Sequence, residues 1–324
     1  MHAFAIYRES ELTNDQFIEL VASGKPLHLC GCRIRGEVDL SHRSLPGRII
    51  CEGCIFDSTV LTIETRFGST VHFTHCKFQG GIDSTAAHVE GALQLNGSFF
   101  AVAETVTETE RWPDDIIAPA TPSQRAGFGH MKIAGSLDMD ETVVDGTLEL
   151  EGTVVEGSLR LRGAQIAGRL VARCCEVRGE CDLDALSVPA ATGQPLNERK
   201  QTRVGGDCIF SSSKLGGHVT LSGASIEGHV RFISSQVEGW VIMRPVDVSV
   251  DVDTGFPALL PRVGRPLKGG VAFWRGAINF SYATVKGTVL LSGAELHGSL
   301  RLDSAEVKQD VWLYYTDVGS SPFP

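Results

Sequence analysis

The chain has 324 residues, 42% of them hydrophobic, with 36 glycines and a formal net charge of −10. That size allows a large core, and the acidic balance argues against direct binding to nucleic acid or anionic lipid. No apolar run reaches the ~20 residues of a membrane span. The opening MHAFAIYRESEL is too short and too polar for a cleavable signal, so the expected location is the cytoplasm, or outside by a route needing no such signal.

Residues 1–24 read as an N-terminal cap. Within them TNDQFIELVASG (13–24) carries a capping box at Thr13 and Gln16, an apolar stripe at Phe17, Leu20 and Val21, and a stop at Gly24 with Pro26 beyond. A helix over 13–23 follows.

From residue 25 to 319 one pattern recurs every eleven residues. Its phase is marked by Gly36 and Gly47, Gly80 and Gly91, then Gly135 to Gly179, Gly206 to Gly239 and Gly276 to Gly298 at steps of eleven. A fixed short period means one structural unit stacked many times. With glycine as position 0, position 2 is apolar (Leu27, Val38, Ile49, Val60, Val71, Ile82, Leu93) and so is position 9 (Ile34, Leu45, Phe56, Phe67, Phe78, Val89, Phe100). Position 7 is small, and positions 3, 5, 8 and 10 are largely polar. Alternation over three to five residues marks short strands with one buried face. Each unit supplies two such strands, and two units close a four-sided coil of about 22 residues. Glycine at position 0 suits a corner that needs positive φ or close backbone approach. The expected fold is an all-β, right-handed parallel β-helix of about eleven coils, roughly 50 Å long.

Cysteine spacing fits the same period. Cys32, Cys54 and Cys76 all fall at position 7 and should stack as small buried hydrophobes. The runs C-x-C (30–32) and C-x-x-C (51–54) superficially suggest zinc, but the repeat explains Cys32, Cys51 and Cys54 as inward positions. All nine cysteines read as reduced thiols. His28 and His72 share a column two coils apart with Ile50 between them, and no carboxylate partner is evident. No metal or cofactor is expected.

The small-x-apolar cores CIF (54–56), CKF (76–78), AQI (164–166) and ASI (224–226) resemble the pentapeptide-repeat proteins, with glycine-phased eleven-residue units in place of paired five-residue ones. The resemblance covers most of the chain and is to a fold type. It implies a square right-handed coil. By analogy with quinolone-resistance members it also implies an acidic rod that binds a type II topoisomerase as a DNA mimic and pairs through its C-terminal coil.

Three insertions, 102–123, 190–205 and 250–264, interrupt the phase after odd-numbered units. They are therefore expected to leave from one corner and line one edge, where function usually sits. The first is acidic (TETERWPDD, 107–115) and the second basic (NERKQTR, 197–203). Candidate partner-binding residues are Trp112, Asp114, Asp115, Arg199, Lys200 and Arg203. At the other end Val311, Leu313 and Val318 continue the core, while Trp312, Tyr314 and Tyr315 are candidates for self-association as a homodimer, ahead of a short tail at 320–324. Acidic residues from Asp138 to Glu156 are followed by Arg160 to Arg178, which reads as solvated faces with cross-coil ion pairs. No nucleotide, hydrolase or zinc-protease motif is present, so no catalytic residue is assigned. The expected function is a non-catalytic protein-interaction scaffold. The alternatives are a polysaccharide-type lyase or hydrolase at the loop edge, and a bacterial effector using the rod as a targeting module.

Overall fold

The computed structural model describes residues 5–101, 125–187, 199–244, 273–274, 276–291, 295–296, 298–313 and 317–318. They form a right-handed parallel β-solenoid of about 11 coils, with successive coils about 22 residues apart. Each coil passes through four faces in turn. Faces A and B hold 12 strands each, and faces C and D hold 10 each. Face A runs from Ala5–Arg8 to Val311–Trp312, and face B from Glu11–Thr13 to Asp317–Val318. Face C runs from Val38–Asp39 to Leu300–Arg301, and face D from Ser44–Leu45 to Glu306–Val307. Among the described residues no helix is long and apolar enough to cross a membrane.

The register explains the period. Leu27 pairs with Ile49, Ile49 with Val71 and Val71 with Leu93, so identical unit positions stack in columns. The position-2 and position-9 side chains named above are all buried. Position 7 is small because it sits beneath a main-chain carbonyl of the preceding coil, and where it carries a hydroxyl the side chain donates to that carbonyl. Ser98 Oγ donates to the Phe73 carbonyl at 2.6 Å, Ser213 Oγ to Ala172 at 2.7 Å and Thr65 Oγ1 to Leu40 at 2.7 Å. Cys32, Cys54 and Cys76 occupy that column, and their thiols face the carbonyls of Tyr7, Leu29 and Cys51. Burial pushes the Cys51 thiol well up and the Cys175 thiol up to about 12, so these are inert packing groups. Cys174 differs: it is exposed, at φ 54°.

Among the described phase-marking glycines Gly36 (φ 88°) and Gly146 (φ 148°) have positive φ, but the left-handed corner recurs at position 6. His42, Glu64, His75, Glu141 and Ser234 adopt φ of 53–59° there, as do Gly53 and Gly223 in their own units. Most position-0 glycines answer the other need, close approach. Gly157 N–H donates to the Gly135 carbonyl at 2.9 Å, and Gly179 N–H to Gly157 at 2.8 Å. A second such ladder joins Gly168 to Gly146 and Gly206 to Gly168.

The cap forms as expected, with one addition. Helix α1 (Asn14–Ala22) has Thr13 as its N-cap and the reciprocal Thr13–Gln16 capping box, and it buries Phe17 and Val21. Phe17 meets Phe56 edge-on at 5.6 Å, which closes the core at this end. Residues 5–13, however, are already solenoid. Strands β1 (Ala5–Arg8) and β2 (Glu11–Thr13) pair with Leu27–Cys30 and Arg33–Arg35, and α1 stands in place of the C and D strands of that first coil.

The interruptions also differ from expectation. The first leaves after Phe99–Phe100 on face B and returns at Arg125–Gly127 on face C. The second leaves after Cys181–Asp182 on face A and returns at Arg203–Val204 on face B. The third leaves after Val241–Ile242 on face A and returns at Phe273–Trp274 on face B. Two share the A/B corner, and the first uses the next corner round. The second and third split a unit between its two strands. Ile166 pairs directly with Val204, and Val241 with Val289, while positions 188 and 267, near which whole eleven-residue units would place strands, fall outside the described residues.

Candidate functional site

Face B is bordered on both long edges by the excursions. Its outward column, position 8, reads Lys77, Phe99, Val143, Gln165, Arg203 and Ser225 in register. Phe99, Val143, Gln165, Arg203 and Ser225 line a cavity of about 380 Å3 together with Asp145 and Glu227 of the B/C corner. An apolar floor with a few convergent polar groups is the usual make-up of a binding groove. Arg203, expected at the binding edge, lies in it.

The other candidates distribute differently. Arg199 and Lys200 form a strand antiparallel to Leu186–Ser187, and Lys200 Nζ pairs with Glu141 at 3.2 Å beyond face A. Arg203 is thus separated from its two neighbours in sequence. Trp112, Asp114, Asp115, Tyr314 and Tyr315 lie outside the described residues. Trp312 is half-buried on face A in register with Leu290. Val311 and Leu313, expected to continue the core, are 36% and 45% exposed on the last coil.

The acidic and basic runs meet on the outer surface of face A. Asp138, Arg160, Asp182 and Thr220 form one column, joined by an Arg160–Asp138 pair at 3.5 Å. In the neighbouring column Arg162 pairs with Asp140 and reaches Asp182 at 3.7 Å. Elsewhere Arg173 pairs with Glu151 at 2.8 Å and Arg178 with Glu156, again one coil away. The cross-coil pairing expected from sequence is present.

Several of these groups also hold main chain across coils. Asp140 Oδ1 accepts from Arg162 N–H at 2.9 Å, Asp184 Oδ1 from Ser222 N–H at 2.6 Å, and Asp207 Oδ1 from His229 N–H at 2.8 Å. His218 Nδ1 and His229 Nδ1 accept in the same way from Trp240 and Ala277. The side chains therefore act as staples at corners where a strand amide would otherwise lack a partner.

Asp184 is the most perturbed carboxyl among the described residues. Burial, then the Asp182 carboxylate beside it, pushes it up to about 6, and burial raises Asp138 and Asp182 as well. A carboxyl with a higher value folded than unfolded binds its proton more tightly when folded. Its contribution to stability is complete below about pH 4 and is lost as pH rises through 6. The span corresponds to about 2–3 kcal/mol. Asp184→Asn keeps an oxygen for Ser222 and should flatten the decline in thermal midpoint between pH 4 and 6. An unchanged slope would show that Asp184 ionises normally.

No protein-family model, no curated protein and no solved structure matches the chain.

Proposed function

We propose that the protein is a non-catalytic interaction scaffold whose partner protein docks on face B. The observation that carries this reading is that all three excursions are attached to the two long edges of that one face. A rigid strand ladder holds the groove of Phe99, Val143 and Arg203 in fixed geometry, and contact-making segments usually spring from such scaffolds. The carboxylates of face A support the reading too, since they are engaged in staples and ion pairs. The raised Asp184 is the one feature that favours an enzyme with a general acid there.

A narrower version, a DNA mimic in a topoisomerase groove, draws on the pentapeptide-repeat resemblance and the net charge of −10. The interleaved arginines of face A weigh against it, because mimicry needs a long surface of one sign. Absence of any effect on gyrase supercoiling at micromolar protein removes it. Pairing of two copies through the C-terminal coil draws on the exposure of Val311 and Leu313.

One experiment separates these surfaces. A photo-crosslinking residue is placed singly at Arg203 on face B, at Lys214 on face D and at Trp312 in living cells. The expected result is a discrete heterologous adduct from position 203, none from 214, and a self-adduct of twice the chain mass from 312. Equal adducts from 203 and 214 would refute face B as the docking surface, and no self-adduct would refute C-terminal pairing.

A further inference from the structure

Of the four cysteines in the two zinc-like runs, Cys32, Cys51 and Cys54 point inward, as the period requires. Cys30 does not. It lies on the outer surface of face A, two residues after His28 on the same strand, and it pairs in register with Glu52 on the next coil. Strand alternation puts residues i and i+2 on one side, and the 22-residue register brings the carboxylate beside them. Cys30 Sγ is 3.2 Å from His28 Nε2, His28 Nε2 is 3.4 Å from Glu52 Oε2, and Cys30 Sγ is 3.9 Å from Glu52 Oε2.

We infer that Cys30, His28 and Glu52 form a binding site for a single zinc-type divalent cation on face A near the N-terminal end of the solenoid. Two features of the geometry point to a metal in place of a catalytic relay. In a nucleophile–base–carboxylate relay the thiol and the carboxylate use different imidazole nitrogens. Here both converge on Nε2, and one N–H cannot serve two such partners well.

The triangle also has the right size. Tetrahedral zinc with Zn–S of ~2.3 Å and Zn–N and Zn–O of ~2.0–2.1 Å sets ligand atoms about 3.4–3.6 Å apart. The three observed edges lie within about 0.4 Å of that range. Thiolate, carboxylate and neutral imidazole together cancel the charge of the dication. Burial and, after it, the Glu52 carboxylate hold the Cys30 thiol above its ordinary value, and Arg8, in register with Cys30 on the first coil, opposes them.

Three protein ligands leave a fourth position open to water or to a group from another molecule. His28 is part-exposed and Glu52 more so, with 26% and 53% of their side-chain surfaces accessible, so a cation can enter without unfolding. His72, two coils along, is not part of the set, because its Nε2 lies 3.2 Å from Arg48 Nη2. The inference does not depend on face B being a docking surface.

The test is a cobalt(II) titration of the full reduced chain, followed by competition with zinc. The expected result is one equivalent bound with a sulfur-to-cobalt charge-transfer band that zinc abolishes. Losing a supporting residue around a metal site already costs about 10–100-fold in affinity. Cys30→Ser should therefore remove the band, and His28→Gln or Glu52→Gln should weaken binding at least about tenfold. Cys174→Ser, at the exposed thiol elsewhere, should change nothing. All three ligands face outward, so circular dichroism of each variant should match the parent. Independently, zinc should protect Cys30 from alkylation, read by peptide mass spectrometry. No band in the parent, a band that survives Cys30→Ser, or affinity indifferent to both His28→Gln and Glu52→Gln would overturn the site.

Discussion

Phe78→Ala is expected to destabilise the N-terminal half of the solenoid by about 3–5 kcal/mol, among the largest losses from a single core truncation. Phe78 is fully buried and stacks on Phe56 and on Phe100, each at a centroid distance of 4.8 Å, with Phe73 edge-on at 5.6 Å. Its main chain is pinned, since Gln79 N–H donates to Phe56 and Ala101 N–H donates to Phe78, both at 2.9 Å. The surrounding coils therefore cannot close over the missing ring, which is the condition under which cavity costs are highest.

In a stacked repeat each coil contacts only its neighbours, so the damage should be local. Hydrogen exchange should show lost protection across the coils between α1 and Phe100, with the coils after Arg203 nearly unchanged. Phe78→Leu keeps most of the volume and should cost much less, about 1–1.5 kcal/mol. A uniform loss of protection along the whole rod would show that it unfolds as one unit and would refute the neighbour-by-neighbour account.

The sequence period was enough to place most rungs, because every inward column is filled by the same residue class for geometric reasons. Leu27, Ile49, Val71 and Leu93 must be apolar, and Ser98 or Cys76 must be small enough to sit beneath a carbonyl. The first coil was obscured because residue 3, where a unit's glycine would stand, is alanine, and the inward residues that follow are Ala5, Tyr7 and Leu12. The excursions were misplaced because counting whole units assumes the chain leaves at a glycine corner. At Asp182 and Ile242 it leaves in mid-unit instead, and it resumes with the second strand only at Arg203 and Phe273.

The candidate sites were harder to read for a related reason. A period of eleven shows which residues point outward, but contacts between them follow the coil of 22. Reading the sequence at steps of 22 would have set Cys30 beside Glu52 and Arg160 beside Asp138. The groove on face B had no such signal. Phe99 and Val143 look like ordinary breaks in the polar column, and only the attachment points of the excursions mark them out.

Replacing the phase-marking glycines tests what that phase means, and Gly228→Ala should cost about 2–4 kcal/mol. A Cβ on Gly228 would lie 2.5 Å from the Gly206 carbonyl carbon and from the Asp207 nitrogen, and would also press on Asp207 Oδ1. Its φ is not in the left-handed region, so alanine meets no torsional obstacle there. The penalty comes from the approach of adjacent coils alone. Relieving it means parting the coils and stretching the Gly228–Gly206 hydrogen bond of 3.1 Å, one rung of the glycine ladder.

Gly53→Ala is the paired comparison. Gly53 is at φ +62°, with nothing within 4 Å of its Cβ position, and it occupies the corner where Glu64 and His75 already adopt the same conformation. Only left-handed strain applies, at about 1 kcal/mol. Denaturation of both variants should rank Gly228→Ala well above Gly53→Ala. The reverse order would mean that backbone torsion, and not the spacing between coils, sets the eleven-residue period.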